Sequence, residues 1–352
     1  MKIDLSFNYK YLLLFVTISL FILMYGIGAV VYPSFLSLDV FLNLFVDNAF
    51  LMVTAIGMTF TIISGGIDLS VGSVIGLTTM VSAHLLEKTH ANPYLVMVIV
   101  LAIGAGFGTI MGLMIHYFKL HPFIVTLGGQ FLARGLCYVI STDTINITNP
   151  VYCDIASFRY YITDTAFINV NVILFVAMVI FAIYLAHYTQ FGRTVYAIGG
   201  NEQSAVLMGL PVARTKVLIY TFSGFCAALG GILFTFYMLS GYALHARMME
   251  TDAIAAVVIG GTLLTGGYGY ILGTMFGVLI LGTIQTLIMF QGTLSSWWTK
   301  IVYGILVLLF CLFQRFFEAG NGKSKVGHES GPDKKSNQEQ KTVVTEENVL
   351  VS

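Results

Sequence analysis

The segment ISGGIDLSVGS, residues Ile63–Ser73, contains one aspartate and three glycines and joins two apolar segments, 49–63 and 71–86. A carboxylate at membrane depth is costly unless it faces the protein interior or a water-filled cavity. Short or glycine-interrupted apolar segments are typical of the translocation path of transporters. The fold therefore depends on whether these two segments form one interrupted helix or two separate membrane crossings.

The composition is that of an integral membrane protein. Of the 352 residues, 57% are hydrophobic and 10% are charged, whereas soluble domains carry about 25% charged residues. The 17 basic and 17 acidic residues cancel, so the charge gives no reason to expect nucleic acid as a partner. The four cysteines lie far apart and indicate neither a disulfide framework nor a metal cluster. We expect a lipid bilayer around the chain and no cofactor.

Ten apolar segments can be separated along the chain, most of them about 20 residues long, which is enough to cross a membrane. They are 11–31, 49–63, 71–86, 93–116, 122–140, 168–188, 214–239, 253–266, 271–290 and 298–317. A second glycine-rich break, TGGYGY, separates 253–266 from 271–290. Both pairs of segments beside the breaks contain short members.

The distribution of lysine and arginine favours two crossings over 49–86. With ten crossings and both termini in the cytoplasm, most basic residues fall inside, as the positive-inside tendency requires. A single crossing there would place the lysine-bearing C-terminal tail outside. We predict an all-α integral membrane protein with about ten transmembrane helices, some short and glycine-interrupted. Residues 1–319 form the transmembrane domain, with its largest cytoplasmic loop at 189–213, and 320–352 form a disordered cytoplasmic tail.

The largest cytoplasmic loop contains FGRTVYAIGGNEQSAVLMGLPVARTK, residues 191–216. Asn201 is a good helix N-cap residue, Glu202 falls in the first turn and Pro211 ends the segment, so a short helix is predicted outside the membrane. A connection between two helices needs only a few residues. The additional ordered length favours docking of a soluble partner over a simple linker.

Three motifs carry a resemblance to a known family. They are GGIDLSVGS at 65–73, GGNEQSAVLMGL at 199–210 and VVIGGTLLTGGYGYILGTMFGVL at 257–279. Together they resemble the permease subunits of bacterial sugar ABC importers of the ribose and galactose type. Two further stretches, SGYALHARMMETDAIAAVVIGGTLL at 240–264 and GTLSSWWTKI at 292–301, look like a galactofuranose uptake permease. One departure is Ser204, where the family commonly has alanine.

This resemblance implies a ten-helix permease domain in the bacterial plasma (inner) membrane that takes up a monosaccharide, galactofuranose in particular. It also implies three protein partners: a cytoplasmic ATPase subunit, an extracytoplasmic sugar-binding protein and a second permease, expected to be a different chain. In this family the short helix of the long cytoplasmic loop is the coupling helix, which enters a groove on the ATPase. The residues to which this role is carried over are Gly200, Asn201, Glu202, Ala205, Gly209 and Leu210.

The chain itself is expected not to be an enzyme, because ATP hydrolysis would belong to the separate ATPase subunit. GNGKS at 320–324 matches part of a phosphate loop, but Phe317 stands where that loop requires its first glycine. The alternative function is an ion-coupled secondary sugar transporter. Such a transporter is expected to carry several carboxylates inside its helices, whereas this sequence offers Asp68 and leaves the docking loop unexplained.

Two polar residues within apolar sequence have open interpretations. Either Asp68 or Ser70 caps the helix that begins near Val71, or the break lies in the interior and Asp68 forms hydrogen bonds at the translocation path or its gate. Arg134 either lines the sugar path or reaches the outer interface by snorkelling. The residues predicted for the path or gate are Gly65, Gly66, Asp68, Ser70, Gln130, Arg134 and Tyr237.

A charged and aromatic cluster follows segment 214–239 in a predicted outer loop. Such a loop is often merely solvated, but a sugar-delivering protein would dock on this side of the membrane. We therefore expect contact with the binding protein from Tyr242, His245, Arg247 and Glu250.

Overall fold

The computed structural model describes residues 9–295 and 297–326, and most of these residues are helical. The helices are α1 (Tyr9–Val31), α2 (Leu38–Ile63), α3 (Val71–Glu87), α4 (Pro93–Tyr117), α5 (Pro122–Ile140), α6 (Pro150–Ser157), α7 (Val170–Tyr188), α8 (Gln190–Gly200), α9 (Glu202–Leu207), α10 (Val212–Met238), α11 (Met249–Ile259), α12 (Ile271–Gln291) and α13 (Trp297–Val326), with a 3-10 turn at Pro33–Leu36. Two antiparallel pairs of two-residue strands join β1 (Ile145–Asn146) to β4 (Ser240–Gly241) and β2 (Tyr160–Tyr161) to β3 (Phe167–Ile168). Apart from these pairs, the all-α prediction is confirmed.

Each of the ten predicted apolar segments overlaps one of these helices. Eight helices in the described part of the chain are long and apolar enough to cross a membrane. The other two are α3, with 17 residues, and α11, with 11. At 1.5 Å per residue α11 is only about 16 Å long. The number of crossings and the cytoplasmic location of the termini stay predictions.

The segment 49–63 is not short, contrary to our prediction. The helix that contains it, α2, has 26 residues and begins at Leu38, where the Ser37 hydroxyl accepts a hydrogen bond from the Val40 amide at 3.3 Å. Polar residues such as Asp39 and Asp47 lower the hydropathy of the first half of α2. The apolar pattern alone therefore places the start of this helix too far along the chain. The short members are α3, which follows the first break, and α11, which precedes the second.

The centre of the helix bundle is formed by α2, α10 and α12. In their most apolar windows 61%, 67% and 61% of residues are buried, compared with 17% in α1. The long helix α10 packs against α2, α3 and α4. The break after α2 therefore lies in the protein interior and next to the central helix.

The helices α4 and α10 approach each other closely at glycines. A Cβ atom on Gly104 would lie 2.6 Å from the Gly224 carbonyl oxygen, and one on Gly108 would overlap the Tyr220 carbonyl oxygen. The Thr109 and Thr221 hydroxyls share a hydrogen bond of 2.8 Å across the same interface. Glycine at these positions permits backbone contact between the helices, as the four-residue spacing predicts.

We expect Gly108→Leu to separate α4 from α10 and to lower the yield of folded protein. Overpacking of a buried site costs about 1–3 kcal/mol, and more where backbone has to move. Gly106→Leu is the matched control, because a Cβ atom there meets nothing within 4 Å. The measurement is the amount of monodisperse protein in detergent and its thermal unfolding midpoint. Equal stability of the two variants would contradict this packing.

The last helix extends further than the predicted domain boundary. Residues 320–326 are helical, because α13 continues to Val326, so a disordered tail does not begin at Gly320. The motif GNGKS at 320–324 lies within this helix and not in a loop after a strand. The remaining residues of the predicted tail, 327–352, lie outside the described residues. Contacts divide the chain after Phe310, and the packing described above concerns the unit before this point.

The predicted orientation can be tested with thiol reagents. Asn201 is exposed in the predicted cytoplasmic loop, and Cys153 is partly exposed on α6. The ten-crossing topology places the loop 141–167, which contains Cys153, on the outer side. We expect native Cys153 to react with a membrane-impermeant maleimide only from outside. An Asn201→Cys variant that also carries Cys153→Ser should react only from the cytoplasmic side, in inside-out vesicles. The opposite labelling pattern would overturn the orientation.

Candidate functional site

The Asp68 carboxylate is fully buried and accepts three hydrogen bonds. Its Oδ1 accepts from the Ser70 amide at 3.0 Å and from the Ser70 hydroxyl at 2.6 Å, and its Oδ2 accepts from the Ser223 hydroxyl at 2.7 Å. Hydrogen bonds to a charged group contribute about 1.5–3 kcal/mol each. Since Ser223 belongs to α10, the carboxylate attaches the break between α2 and α3 to the central helix.

Both interpretations of Asp68 find a counterpart in this geometry. The break is interior, and Asp68 satisfies a backbone amide immediately before α3. Of the two residues predicted to cap α3, Ser70 makes no capping bond with its side chain, and its hydroxyl donates to Asp68 instead. Participation of Asp68 and Ser70 in translocation stays a prediction.

The two glycine-rich breaks meet each other and the predicted cytoplasmic loop at one place, which we call the glycine junction (Gly65, Gly199, Gly266 and Gly267). The Gly267 amide donates to the Ile63 carbonyl at 2.8 Å. A Cβ atom on Gly199 would overlap both of these backbone groups, and one on Gly266 would lie 2.9 Å from the Gly65 nitrogen. The end of α8 therefore contacts the chain at both breaks directly.

The short helix predicted within the loop 189–213 is present. Its six residues make up α9, and the Asn201 side chain caps it by accepting a hydrogen bond from the Ser204 amide at 2.8 Å. Glu202 forms an ion pair of 2.7 Å with Lys216 at the start of α10. The N-cap prediction for Asn201 is confirmed.

Ala205 does not lie on the exposed face of α9. Its side chain is 0% exposed and packs against Ile198 and Val212, with Leu210 beside them. Ala205, one of the residues to which the coupling role was carried over, therefore does not itself form part of the exposed surface of this helix. The exposed surface is instead an apolar tip (Val206–Met208), whose three side chains are 57%, 88% and 66% exposed.

The apolar tip is connected to the second break through α8. The Tyr196 hydroxyl donates a hydrogen bond of 2.7 Å to the carbonyl of Gly269. Burial raises the pKa of Tyr196 to about 12, so this hydroxyl stays protonated and remains a donor at neutral pH. Packed side chains and backbone hydrogen bonds thus join the loop that carries the tip to both breaks.

Arg134 and Gln130, one turn apart on α5, both bind the chain between α10 and the first turn of α11. Arg134 Nη1 donates to the carbonyl oxygens of Ala243 at 2.6 Å and His245 at 2.8 Å. Gln130 Nε2 donates to Glu250 Oε1 at 2.8 Å. The snorkelling interpretation of Arg134 is wrong, because its donors are used inside the protein.

The loop 239–248 reaches into the protein interior and is not a solvated outer loop. A Cβ atom on Gly72 would lie 2.8 Å from the Ala246 carbonyl oxygen. The other end of α3 lies on the predicted outer side, where Glu87 accepts a hydrogen bond from Thr148 of the loop 141–167. Gly72 lies about 22 Å from Glu87 along the helix axis, so the loop 239–248 lies deep in the protein. Non-helical backbone at such depth is tolerated where it is buried in protein or lines a cavity.

Glu250 belongs to this interior region and not to a docking surface. It is 7% exposed, so the prediction that it contacts the binding protein is wrong. Arg247 is exposed, whereas Tyr242 and His245 are partly buried. Docking by these three residues stays a prediction.

Tyr237 lies apart from the other predicted path residues. It is 48% exposed near the end of α10 and lines a separate cavity of about 330 Å³ with Asp47 and Arg159. The structure therefore brings Gln130 and Arg134 together, and Asp68 with Ser70, but places Tyr237 elsewhere.

Ser223 and the apolar tip were not predicted from the sequence. Ser223 stands in ordinary membrane-helix sequence, and nothing local distinguishes it. The tip did carry a signal, because three consecutive apolar residues in a polar loop form an exposed hydrophobic patch, which marks interaction sites.

Comparison with known proteins identifies the family. Residues 40–311 match the family model described as the permease component of branched-chain amino acid transport systems, well over half of the 352 residues. The chain belongs to this permease family. The permease is 48% identical to the inner membrane ABC transporter permease protein YjfF of Escherichia coli over 302 residues, which cover 86% of this chain and 91% of YjfF.

Two further relatives of the permease are named for their sugars. It is 40% identical to the fructose import permease protein FruG of Bifidobacterium longum, with 87% of this chain and 91% of FruG covered. It is 38% identical to the ribose import permease protein RbsC of Bacillus subtilis, with 85% and 91% covered. No solved structure matches the chain. The permease is thus a multi-pass protein of the bacterial inner membrane and a transport subunit of the ABC type, not an enzyme.

Proposed function

We propose that this permease imports a monosaccharide, galactofuranose, using ATP hydrolysed by a separate ATPase subunit. The observation that carries the proposal is the apolar tip (Val206–Met208), which is exposed on a capped helix and linked to both glycine-rich breaks. A sugar substrate is supported by the names of the relatives, which import fructose and ribose. Galactofuranose is supported by the resemblance of 240–264 and 292–301 to a permease for that sugar.

The ATPase would drive transport by moving α9. The helix is shaped and oriented by residues to which the coupling role was carried over, namely Gly200, Asn201, Glu202, Gly209 and Leu210. Ala205 anchors it to Ile198 and Val212. A rigid contact that differs between two states can shift a conformational equilibrium. Through the glycine junction, a displacement of α9 would reach the C-terminal end of α2 and the chain that precedes α12. The gate would lie at the first of these places and would be held by Gly65, Gly66 and Asp68.

The sugar path would follow the face of α5 that carries Gln130 and Arg134. A polar surface at membrane depth requires protein or water around it, and Gln130 and Arg134 are both partly exposed. A second permease, a different chain, would cover this side of α5 and complete the path. The sugar-binding protein would deliver its ligand at the opposite end of the membrane from α9, near Tyr242, His245 and Arg247.

Uptake measurements test the proposal. The permease is expressed with an ATPase, a sugar-binding protein and a second permease encoded beside it, in cells that lack other routes for the sugar. We expect uptake of labelled galactofuranose that excess ribose or fructose does not inhibit. Strong competition by ribose would show that the substrate is a different sugar, while the importer function would stand. Absence of uptake of any monosaccharide would contradict the function.

A further inference from the structure

We propose that Ser73, Gln130 and Glu250 form a binding site for sugar hydroxyl groups inside the permease, an inference that rests on the proposed sugar import. A cavity of about 400 Å³ lies between α3, α5 and the loop before α11. Its volume falls within the range of small-molecule sites, about 300–1,000 Å³. The polar residues that line it are Ser73, Gln130, Arg134, Tyr138, Arg247 and Glu250.

Two buried polar atoms at this cavity lack partners within the described part of the chain. They are the Ser73 hydroxyl oxygen and Glu250 Oε2, on side chains that are 0% and 7% exposed. Buried polar groups are nearly always hydrogen-bonded in native proteins, so each exception calls for a ligand, a water molecule or an ion. Because both atoms belong to residues that line one cavity, a single ligand can satisfy both.

Neighbouring contacts orient the Glu250 carboxylate. They also distinguish residues that would bind the ligand from residues that hold others in position. Gln130 Nε2 holds Glu250 Oε1 at 2.8 Å, which leaves Oε2 as the free acceptor. Arg134 is a positioning residue, since its Nη1 is occupied by the carbonyl oxygens of the loop before α11. In that loop Ala246 and Met248 adopt left-handed φ angles of 55° and 67°. Non-glycine residues held in this region are costly, and they cluster at ligand sites.

The chemistry of the lining fits an uncharged polyhydroxy compound. Arg134 already donates to the carbonyl oxygens of Ala243 and His245, so the unpartnered groups at the cavity are a hydroxyl and a carboxylate oxygen. A sugar hydroxyl can donate to Glu250 Oε2 and also accept from Ser73, and the apolar side chains of Phe131 and Leu244 can contact the carbon skeleton. Hydroxyl groups therefore use the donors and acceptors that this cavity leaves free.

The test uses the complete transport system in proteoliposomes, with galactofuranose as the probe. We expect Ser73→Ala and Glu250→Gln each to lower the uptake rate about tenfold. The first removes a hydrogen bond to the sugar, and the second replaces a charged acceptor with a neutral amide and so weakens the bond. Stimulation of ATP hydrolysis by the sugar-loaded binding protein should persist, because the apolar tip is untouched. Within the described residues Ser73→Ala breaks no hydrogen bond, so a purely structural role predicts no loss.

The matched control is Ser82→Ala, the same change at another fully buried serine of α3 that does not line the cavity. It should transport at the normal rate. If the Ser73 and Glu250 variants also transported normally, the cavity would hold water only and the inferred site would be wrong. If the unmodified permease took up no monosaccharide, the proposed function would fail instead, independently of this site.

Discussion

Leu207→Asp is expected to abolish ATPase binding and ATP-driven uptake while leaving the permease folded in the membrane. Leu207 is 88% exposed, so the substitution removes no internal packing. In a docked complex the new carboxylate would be buried without a partner against an apolar surface. Loss of a central contact of this kind costs about 2 kcal/mol or more, roughly a thirtyfold loss of affinity.

The measurement is the amount of ATPase that co-purifies with the tagged permease, together with sugar uptake. Tyr161→Asp is the control, because it adds the same charge to a 56% exposed aromatic residue of the predicted outer loop and should leave ATPase retention unchanged. Ala205→Trp would be a poor test, since Ala205 is buried and a larger side chain would disrupt the packing of the loop itself. Normal ATPase retention and uptake in Leu207→Asp would exclude the apolar tip as the coupling surface.

Asp68→Leu is expected to cause the largest loss of folded protein. The substitution leaves the Ser70 amide and the hydroxyls of Ser70 and Ser223 without their acceptor in a fully buried site. Each unsatisfied buried group costs about 1–3 kcal/mol, so the sum approaches the total stability of many proteins, about 5–15 kcal/mol.

Asp68→Asn is the matched control for this anchor. Its amide oxygen can still accept from Ser70, and its amide group can donate to the Ser223 hydroxyl, so we expect most of the protein to fold. The amount of monodisperse protein and its thermal unfolding midpoint are measured, and uptake is divided by the amount of folded protein. Wild-type stability of Asp68→Leu would contradict the structural role. Normal folding of Asp68→Asn without any uptake would show that the charge itself takes part in transport.

The helices and the cap of α9 could be predicted because they depend on local sequence. Apolar segments of about 20 residues define most of the membrane helices, and an asparagine before a short helical segment defines the cap at Asn201. The start of α2 could not be predicted in this way. Its first half carries polar residues, so hydropathy alone does not show that this part of the chain is helical. The burial of Ala205 depends on which face of α9 packs inward, and Ile198 and Val212 decide this only in the folded chain.

Long-range contacts account for the remaining differences. The glycine junction unites positions near 65, 199 and 266, and no spacing rule relates positions so far apart. The loop 239–248 looks like a solvated charged loop in the sequence, yet Arg134 and Gln130 of α5 hold it and Glu250 inside the protein. A polar cluster in a membrane protein can thus be buried or exposed. Which of the two occurs depends here on hydrogen-bond partners that lie on another helix.

The central claim is that ATP hydrolysis by a separate subunit drives sugar import through this permease. Its most direct test is sugar uptake in proteoliposomes that contain the complete system. We expect uptake only with ATP on the side of the ATPase and the sugar-loaded binding protein on the other side. Ionophores that collapse proton and sodium gradients should leave this uptake unchanged. Uptake by the permease alone, without ATP and abolished by the ionophores, would contradict the claim and establish an ion-coupled transporter.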